Sequence, residues 1–300
     1  MTSNDAVSIY EVSLRDGLQN ESAFVPTADK LRLLGMLTAA GLRRVEITSF
    51  VNPKWIPALA DADEMSGSAR APEGVMYSAL IPNARGFERA RGSKLGELAV
   101  VVSISETHNK KNINRTVADT LAEYAELVPA MIQAGFRVRG YLSTVWGCPY
   151  EGVTNTESAV KVGKALLEMG CYQLSLGDTI GVATPAQSRN VLRLFRDHVG
   201  LERVAMHMHD TRGTALANVL VGLEEGVRDI DSSLGGLGGC PYAPGAAGNL
   251  CTEDLAYMLE GMGMKTGLDV PALVLAAREA EALVGRKLPG KVHQAGPWSF

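Results

Sequence analysis

Residues 172–232 read YQLSLGDTIGVATPAQSRNVLRLFRDHVGLERVAMHMHDTRGTALANVLVGLEEGVRDIDS, and this stretch decides the fold class. Short apolar runs at 172–176, 204–208 and 227–232 are the length of strands. Between them lie two segments with helical spacing, 184–198 and 214–225. Thr184 and Pro185 make a cap and first turn for the earlier helix. Strands separated by single helices form parallel sheets, because a parallel connection needs a crossover of about a dozen residues.

The same alternation extends upstream. Strands are expected at 8–14, 44–49, 75–81, 98–104 and 136–143. Helices are expected from Pro26-Thr27 to Gly41 and at 56–65, 83–91, 116–134 and 155–169. Eight strand–helix units in about 250 residues fit an α/β fold of the (β/α)8 TIM-barrel type. The alternative, an open doubly wound sheet, lacks a Gly-x-Gly-x-x-Gly after its first strand. Beyond the eighth unit, a helix starts near Thr252, and an Ala-rich helix at 271–283 reads as an appended C-terminal element packing over one barrel mouth. The expected organisation is one domain over 1–300, with the barrel at about 8–262 and the helical extension at about 263–300.

The 300 residues are 46% hydrophobic and 21% charged, with a net charge of −4. That balance argues against nucleic-acid or anionic-membrane partners. No apolar run reaches a membrane span, and no secretory signal is visible at the N-terminus. The four cysteines show no disulfide or CxxC spacing, so reduced thiols in a cytoplasmic protein are expected. A homodimer is the default assembly.

In a barrel the chemistry sits at the C-terminal ends of the strands. Those ends hold Arg15-Asp16, Glu46, Asp178 and His207-Met208-His209. Two imidazoles two residues apart on a strand share one face, and Asp16 at another strand end completes a His2Asp set. With the Asn249 amide oxygen, such ligation suits Mg2+, Mn2+ or Co2+ and does not exclude Zn2+. Glu46, inside an apolar strand, reads as a partner to a neighbouring group rather than a free base. For Asp178 a structural and a catalytic reading stand level. The last strand leads into DSSLGGLGGCPYAPGAAGN, Asp231–Asn249, whose glycines and prolines exclude a helix or strand interior. This reads as a loop carrying one thiol, Cys240, toward the metal set.

RDGLQNE (Arg15–Glu21), TSFVNPKW (Thr48–Trp55), KKNIN (Lys110–Asn114), GCPYEG (Gly147–Gly152), SLGDTIG (Ser175–Gly181), HMHDT (His207–Thr211) and GGLGGCPYAPGAAGN (Gly235–Asn249) occur in this order. Together they resemble the hydroxymethylglutaryl-CoA lyase family over nearly the whole chain. The resemblance implies metal-dependent cleavage of (S)-3-hydroxy-3-methylglutaryl-CoA to acetyl-CoA and acetoacetate, a reaction of leucine degradation and ketone-body formation. It implies Asp16, His207, His209 and Asn249 as ligands to Mg2+ or Mn2+, Arg15 as catalytic arginine and Cys240 as lid cysteine. Glu46 and Asp178 match acidic residues around that site. Arg286, Lys287, Lys110 and Lys111 are the expected partners for the phosphates of the acyl-CoA substrate. One departure is Trp146 in place of a small residue after strand five, where it is expected to reshape the acyl pocket. That position motivates the alternative of a larger 3-hydroxy-3-alkylglutaryl-CoA.

Overall fold

A computed structural model of the chain describes residues 6–239, 248–296 and 298. Eight parallel strands, β1 (Ser8–Glu11), β2 (Arg44–Ser49), β3 (Met76–Leu80), β4 (Glu97–Ser103), β5 (Arg137–Ser143), β6 (Gln173–Asp178), β7 (Val204–Met208) and β8 (Asp229–Ser232), form its centre. They close into a barrel in chain order, with β1 paired to both β2 and β8.

The crossover helices are α1 (Thr27–Ala39), α2 (Ala62–Ser68), α3 (Ala84–Ala90), α4 (Glu106–Ile113), α5 (Val117–Gln133), α6 (Thr156–Glu168), α7 (Pro185–His198) and α8 (Ala215–Glu225). Caps start many of them where the sequence places Asn, Ser or Thr. Asn83 accepts from Gly86 N at 3.0 Å and Asn155 from Glu157 N at 2.8 Å, and Thr184 forms a capping box with Gln187. Each cap satisfies an N–H that the first turn leaves without an internal partner.

Alternation along the strands separates two environments. Leu98, Val100, Val102, Leu142, Leu174, Leu176, Met206 and Met208 face the helices and join the main apolar core. The opposite parity points into the barrel and is unusually polar. Tyr10, Glu46, Ser78, Glu97, Arg139, Ser175, His207 and Asp231 are all buried there. Arg139, fully buried, makes a two-point ion pair with Asp231 (3.0 and 2.5 Å) and lies 4.2 Å from the Tyr10 ring centroid. Buried charge of this kind is stable only when fully paired.

Four local expectations change. β1 stops at Glu11, because the chain winds into a π-helical turn, Ser13–Gly17. The Glu11 carboxylate accepts from Ser13 N (2.8 Å) and Leu234 N (3.0 Å), pulling the chain out of the sheet. The segment expected as one helix at 56–65 splits into a 3-10 turn, Pro57–Leu59, and α2. Helix α4 was not anticipated, because ETHNKKNI has no apolar stripe; Ser105 caps it instead. A short antiparallel hairpin, Gly147–Cys148 with Gly152–Val153, follows β5.

After β8, α9 (Thr252–Gly261) descends the outer wall and α10 (Val270–Val284) returns beside α1. Besides lying along α1, the Ala-rich helix α10 packs against the 3-10 turn Leu234–Gly236 just beyond β8, so it reaches from the wall to the C-terminal end of the barrel. The segment that follows it, with the short helix α11 (Val292–Ala295), reaches the 3-10 turn at Leu234–Gly236 beyond β8. Among the described residues no helix is long and apolar enough to cross a membrane.

Candidate active site and metal centre

At the C-terminal end of the barrel, closure of β1 onto β8 brings the π-helical turn beside β7. Asp16 N donates to Val12 O at 2.8 Å and Gly17 N to the same oxygen at 3.1 Å, a widened turn of the kind often found at functional sites. Gly17 has no room for a side chain: a Cβ there would lie 2.9 Å from both Leu237 Cβ and Ser233 Oγ. This close approach aims Arg15 and Asp16 at the barrel axis.

Met208 packs outward in the apolar core, so His207 and His209 face inward. Their Nε2 atoms lie 3.3 Å apart, and Asp16 Oδ2 lies 3.8 Å from the first and 3.9 Å from the second. Asn249 arrives from 40 positions downstream by backbone pairing. It bridges to His209, while Leu250 N donates to Met208 O and Asp210 N to Gly248 O, each at 2.9 Å. Its Nδ2 donates to Asp16 Oδ2 at 2.8 Å.

His207 Nδ1 lies 3.1 Å from Asp231 Oδ2. Hydrogen bonding there places the proton on Nδ1 and leaves the Nε2 lone pair facing His209 and Asp16, the arrangement that orients metal-binding imidazoles. Burial, reinforced by His207 and opposed by Asp16, pushes His209 down to about 4, so it is neutral. Burial would raise the Asp16 carboxyl, but Arg15 and both imidazoles overcome it and hold it well below the usual carboxylate range.

Arg15 is buried. Its Nε donates to Glu46 Oε2 at 2.5 Å, its Nη1 pairs with Asp16, and its guanidinium carbon sits 5.3 Å from the Tyr141 ring centroid. Tyr141 OH donates to the same Glu46 oxygen at 3.2 Å. Glu46 is thus a partner that fixes Arg15 and Tyr141, and burial, partly offset by Arg15, raises its carboxyl.

Arg15, Asp16, Tyr141, His207 and His209 all line one cleft of ≈ 660 Å3. The cleft continues past His108 toward Trp55, Arg85 and Arg115. Gly239, the residue before Cys240, also lines it and accepts from Asn20 Nδ2 at 3.0 Å. Cys240 itself lies outside the described residues.

The HMGL-like family model matches residues 6–279. Hydroxymethylglutaryl-CoA lyase YngG of Bacillus subtilis (strain 168) is 47% identical over 285 residues, covering 95% of each chain. The chain belongs to the hydroxymethylglutaryl-CoA lyase family. A crystal structure of the HMG-CoA lyase of Bacillus subtilis superposes with a TM-score of 0.96 at 46% identity, covering 98% of this chain and 99% of that one. An HMG-CoA lyase from Acinetobacter baumannii, in complex with coenzyme A and 3-methylmalate, gives a TM-score of 0.94 at 39% identity, covering 99% of this chain and 97% of that one.

Measured against a divalent cation, the donor set of this family member fits. Asp16, His207 and His209 are the described residues whose ligand atoms converge, all within 4.8 Å of one another. Ligands at about 2.1 Å from a common centre sit roughly 3–3.5 Å apart, close to the spacing seen here. Turning the Asn249 amide over would present Oδ1, a hard oxygen donor, toward the same place, in exchange for the Nδ2 bonds to Asp16 and to Leu237 O.

Other expected residues fall differently. Asp178 has the parity of Leu174 and Leu176, so it points away from the axis. Its two oxygens accept from Val182 N and Ala183 N at 2.9 Å each, holding the turn after β6. Lys110, Lys111, Arg286 and Lys287 are not among the residues lining the cleft. Lys111 lies over the Tyr150 ring at 4.2 Å, and Arg286 pairs with Glu21 through Nε at 2.9 Å. Trp146 is buried in the apolar core and is not among the residues lining the cleft, although Leu142 and Ser143 just before it are.

Asp231, Arg139, Tyr141 and His108 contribute to the site without having been assigned a role from sequence. Asp231 and Arg139 were legible only as polar residues in apolar strands, the signal that exposed Glu46. His108 sits on α4, with Nδ1 2.6 Å from Ser103 Oγ, and nothing in its local sequence marks it.

Proposed function

We propose that this chain cleaves (S)-3-hydroxy-3-methylglutaryl-CoA to acetyl-CoA and acetoacetate by a retro-Claisen reaction. The observation that carries this reading is the convergence of Asp16, His207, His209 and Arg15 at one end of a long cleft. In the reaction the C3 hydroxyl loses its proton and the C2–C3 bond breaks. Its electron pair passes to C2 as a thioester enolate, C3 becomes the ketone of acetoacetate, and protonation at C2 gives acetyl-CoA.

A divalent cation, Mg2+ or Mn2+, held by Asp16, His207, His209 and Asn249 would supply Lewis-acid stabilisation of negative charge on the substrate oxygens. Asp16, directly or through a water it holds, is one candidate to receive the hydroxyl proton, although Arg15 and the imidazoles make it a weak base. His207 is the other, and could serve only with Nε2 free of the cation, since its Nδ1 is committed to Asp231. Arg15 is permanently charged and fixed by Glu46 before substrate arrives, so it stabilises the enolate oxygen without reorganising. Cys240 is assigned the proton given to C2. The described Gly239 beside it already lines the cleft, which supports that assignment.

For the CoA portion, the lining residues favour a different set from the lysines. Arg85, Arg89 and Arg115 border the outer cleft, together with exposed Trp55. Arg89 is paired with Asp63 and Arg115 with Glu123, whereas Arg85 has no carboxylate partner among the described residues. Arg85 is therefore the side chain best placed to meet a phosphate.

The direct experiment follows acetyl-CoA release from racemic hydroxymethylglutaryl-CoA with Mg2+ or Mn2+, with and without chelator. Chelator-sensitive cleavage is the expected result, and cleavage indifferent to chelator overturns the metal assignment. Cys240→Ser is expected to lower kcat by roughly 10²-fold with metal affinity unchanged. Near-native turnover in that variant would remove Cys240 from the mechanism.

A further inference from the structure

We propose that His293 is a positioning residue for the active site, clamping through Glu253 the Leu234–Gly236 turn that feeds the glycine-rich stretch. The inference rests on the lyase reading for its link to Cys240, though its structural arm does not. His293 also lies beyond residues 6–279, which the family model matches.

The imidazole is 2% exposed and lies between carboxylates from two helices. Nδ1 is 2.9 Å from Glu253 Oε1 on α9, and Nε2 is 3.5 Å from Glu281 Oε2 on α10. Glu253 is fully buried, and its other oxygen accepts from Gly235 N at 2.9 Å. Gly235 O accepts in turn from Gly290 N at 3.0 Å, three residues before His293. Both polar groups of Gly235 are thus held by one assembly.

Gly235 needs such holding. Its backbone is left-handed (φ 64°), and a Cβ there would lie 2.4 Å from Leu288 Cδ1. From this turn the chain passes to Leu237, whose carbonyl accepts from Asn249 Nδ2 at 3.1 Å, and on to Gly239 in the cleft wall. The path from His293 to the candidate metal ligand and to the residue before Cys240 is therefore a continuous series of hydrogen bonds and backbone.

The remaining groups around the ring explain why a histidine serves here. Cys251, at the N-cap of α9, and Asp254 on α9 lie beside Glu253, and Lys287 on the tail lies beside Glu281. Asp254 is spent on Lys291 N and Val292 N, and Arg278 Nη2 donates to His293 O at 3.2 Å. The hydrogen bond to Glu253, partly opposed by burial, raises the imidazole above its ordinary value. A raised folded value means the charged clamp is complete below the ordinary histidine range of about 6.5. It is lost as pH rises through the higher folded value.

The test measures hydrogen exchange of residues 231–239, corrected for intrinsic rate, alongside kcat and KM in the full chain. His293→Ala is expected to accelerate exchange in that window. It should lower kcat by on the order of tenfold with KM little changed. His293→Gln, which keeps one donor for Glu253, should restore most of both and flatten the alkaline rise in exchange. Unchanged exchange and kcat in the alanine variant would overturn the proposal, as would exchange accelerated uniformly over the whole chain. If the alanine variant does not fold, His293→Gln decides alone: an alkaline exchange profile identical to the parent's refutes the clamp. If the parent fails to cleave hydroxymethylglutaryl-CoA, the functional reading fails while the exchange result still judges the clamp.

Discussion

Replacing Asp16 or His207 by alanine is expected to remove divalent-cation affinity and turnover together. Each supplies one of three donor atoms that meet within 4.8 Å. Losing even an outer hydrogen-bond partner of a ligand typically costs 10–100-fold in metal affinity, so losing a donor itself is expected to cost at least about 10³-fold in rate. The two variants differ in a second respect. Asp16→Ala also frees an Arg15 guanidinium that Glu46 still holds, so its structural damage is local. His207→Ala removes the group that accompanies Arg139 and Ser175 on Asp231. Isothermal titration with Mn2+, run beside the cleavage assay, separates metal loss from catalytic loss. Full occupancy in either variant would break the ligand assignment.

Asp231→Ala is expected to produce the largest loss of stability of any single change at the site. Its carboxylate is fully buried and receives both arms of Arg139, the Ser175 hydroxyl at 2.7 Å and His207 Nδ1. Removing one partner of such a pair leaves a buried charge uncompensated, at a cost of about 3–5 kcal/mol. Burial would raise this carboxyl, but Arg139 and His207 hold it well below the usual carboxylate range. Because the folded value is depressed, the contribution is complete above the ordinary aspartate range and is lost only as pH falls toward the folded value. Asp231→Asn preserves the shape and isolates the charge. It is expected to weaken Mn2+ binding by 10–100-fold through the His207 tautomer, with a smaller shift in chemical-denaturation midpoint than alanine. A parent-like midpoint in Asp231→Ala would show that Arg139 finds other compensation.

Much of this molecule is written locally. The strand–helix alternation follows from short apolar runs, helical periodicity and caps such as Asn83, Asn155 and Thr184, all of which act over a few residues. The pairing of His207 with His209 on one face needs only the two-residue period of a strand. The strand-end rule for barrels then names Arg15 and Asp16 before any coordinate is known.

What only the tertiary structure decided concerns direction and neighbourhood. Asp178 sits at a strand end like the ligands, yet its parity on β6 turns it outward to two backbone N–H groups. The lysines of KKNIN lie on a helix that no apolar stripe announces, and the cleft passes them by. Asp231 opens the glycine-rich stretch in sequence, but its role depends on a register that sets it opposite His207 and on Arg139 crossing the barrel from β5. Local sequence encodes how a residue points within its own element, because that follows from backbone geometry over a few residues. Which groups meet across the barrel depends on closure of β1 onto β8, and on the requirement that every charge carried inside finds a partner there.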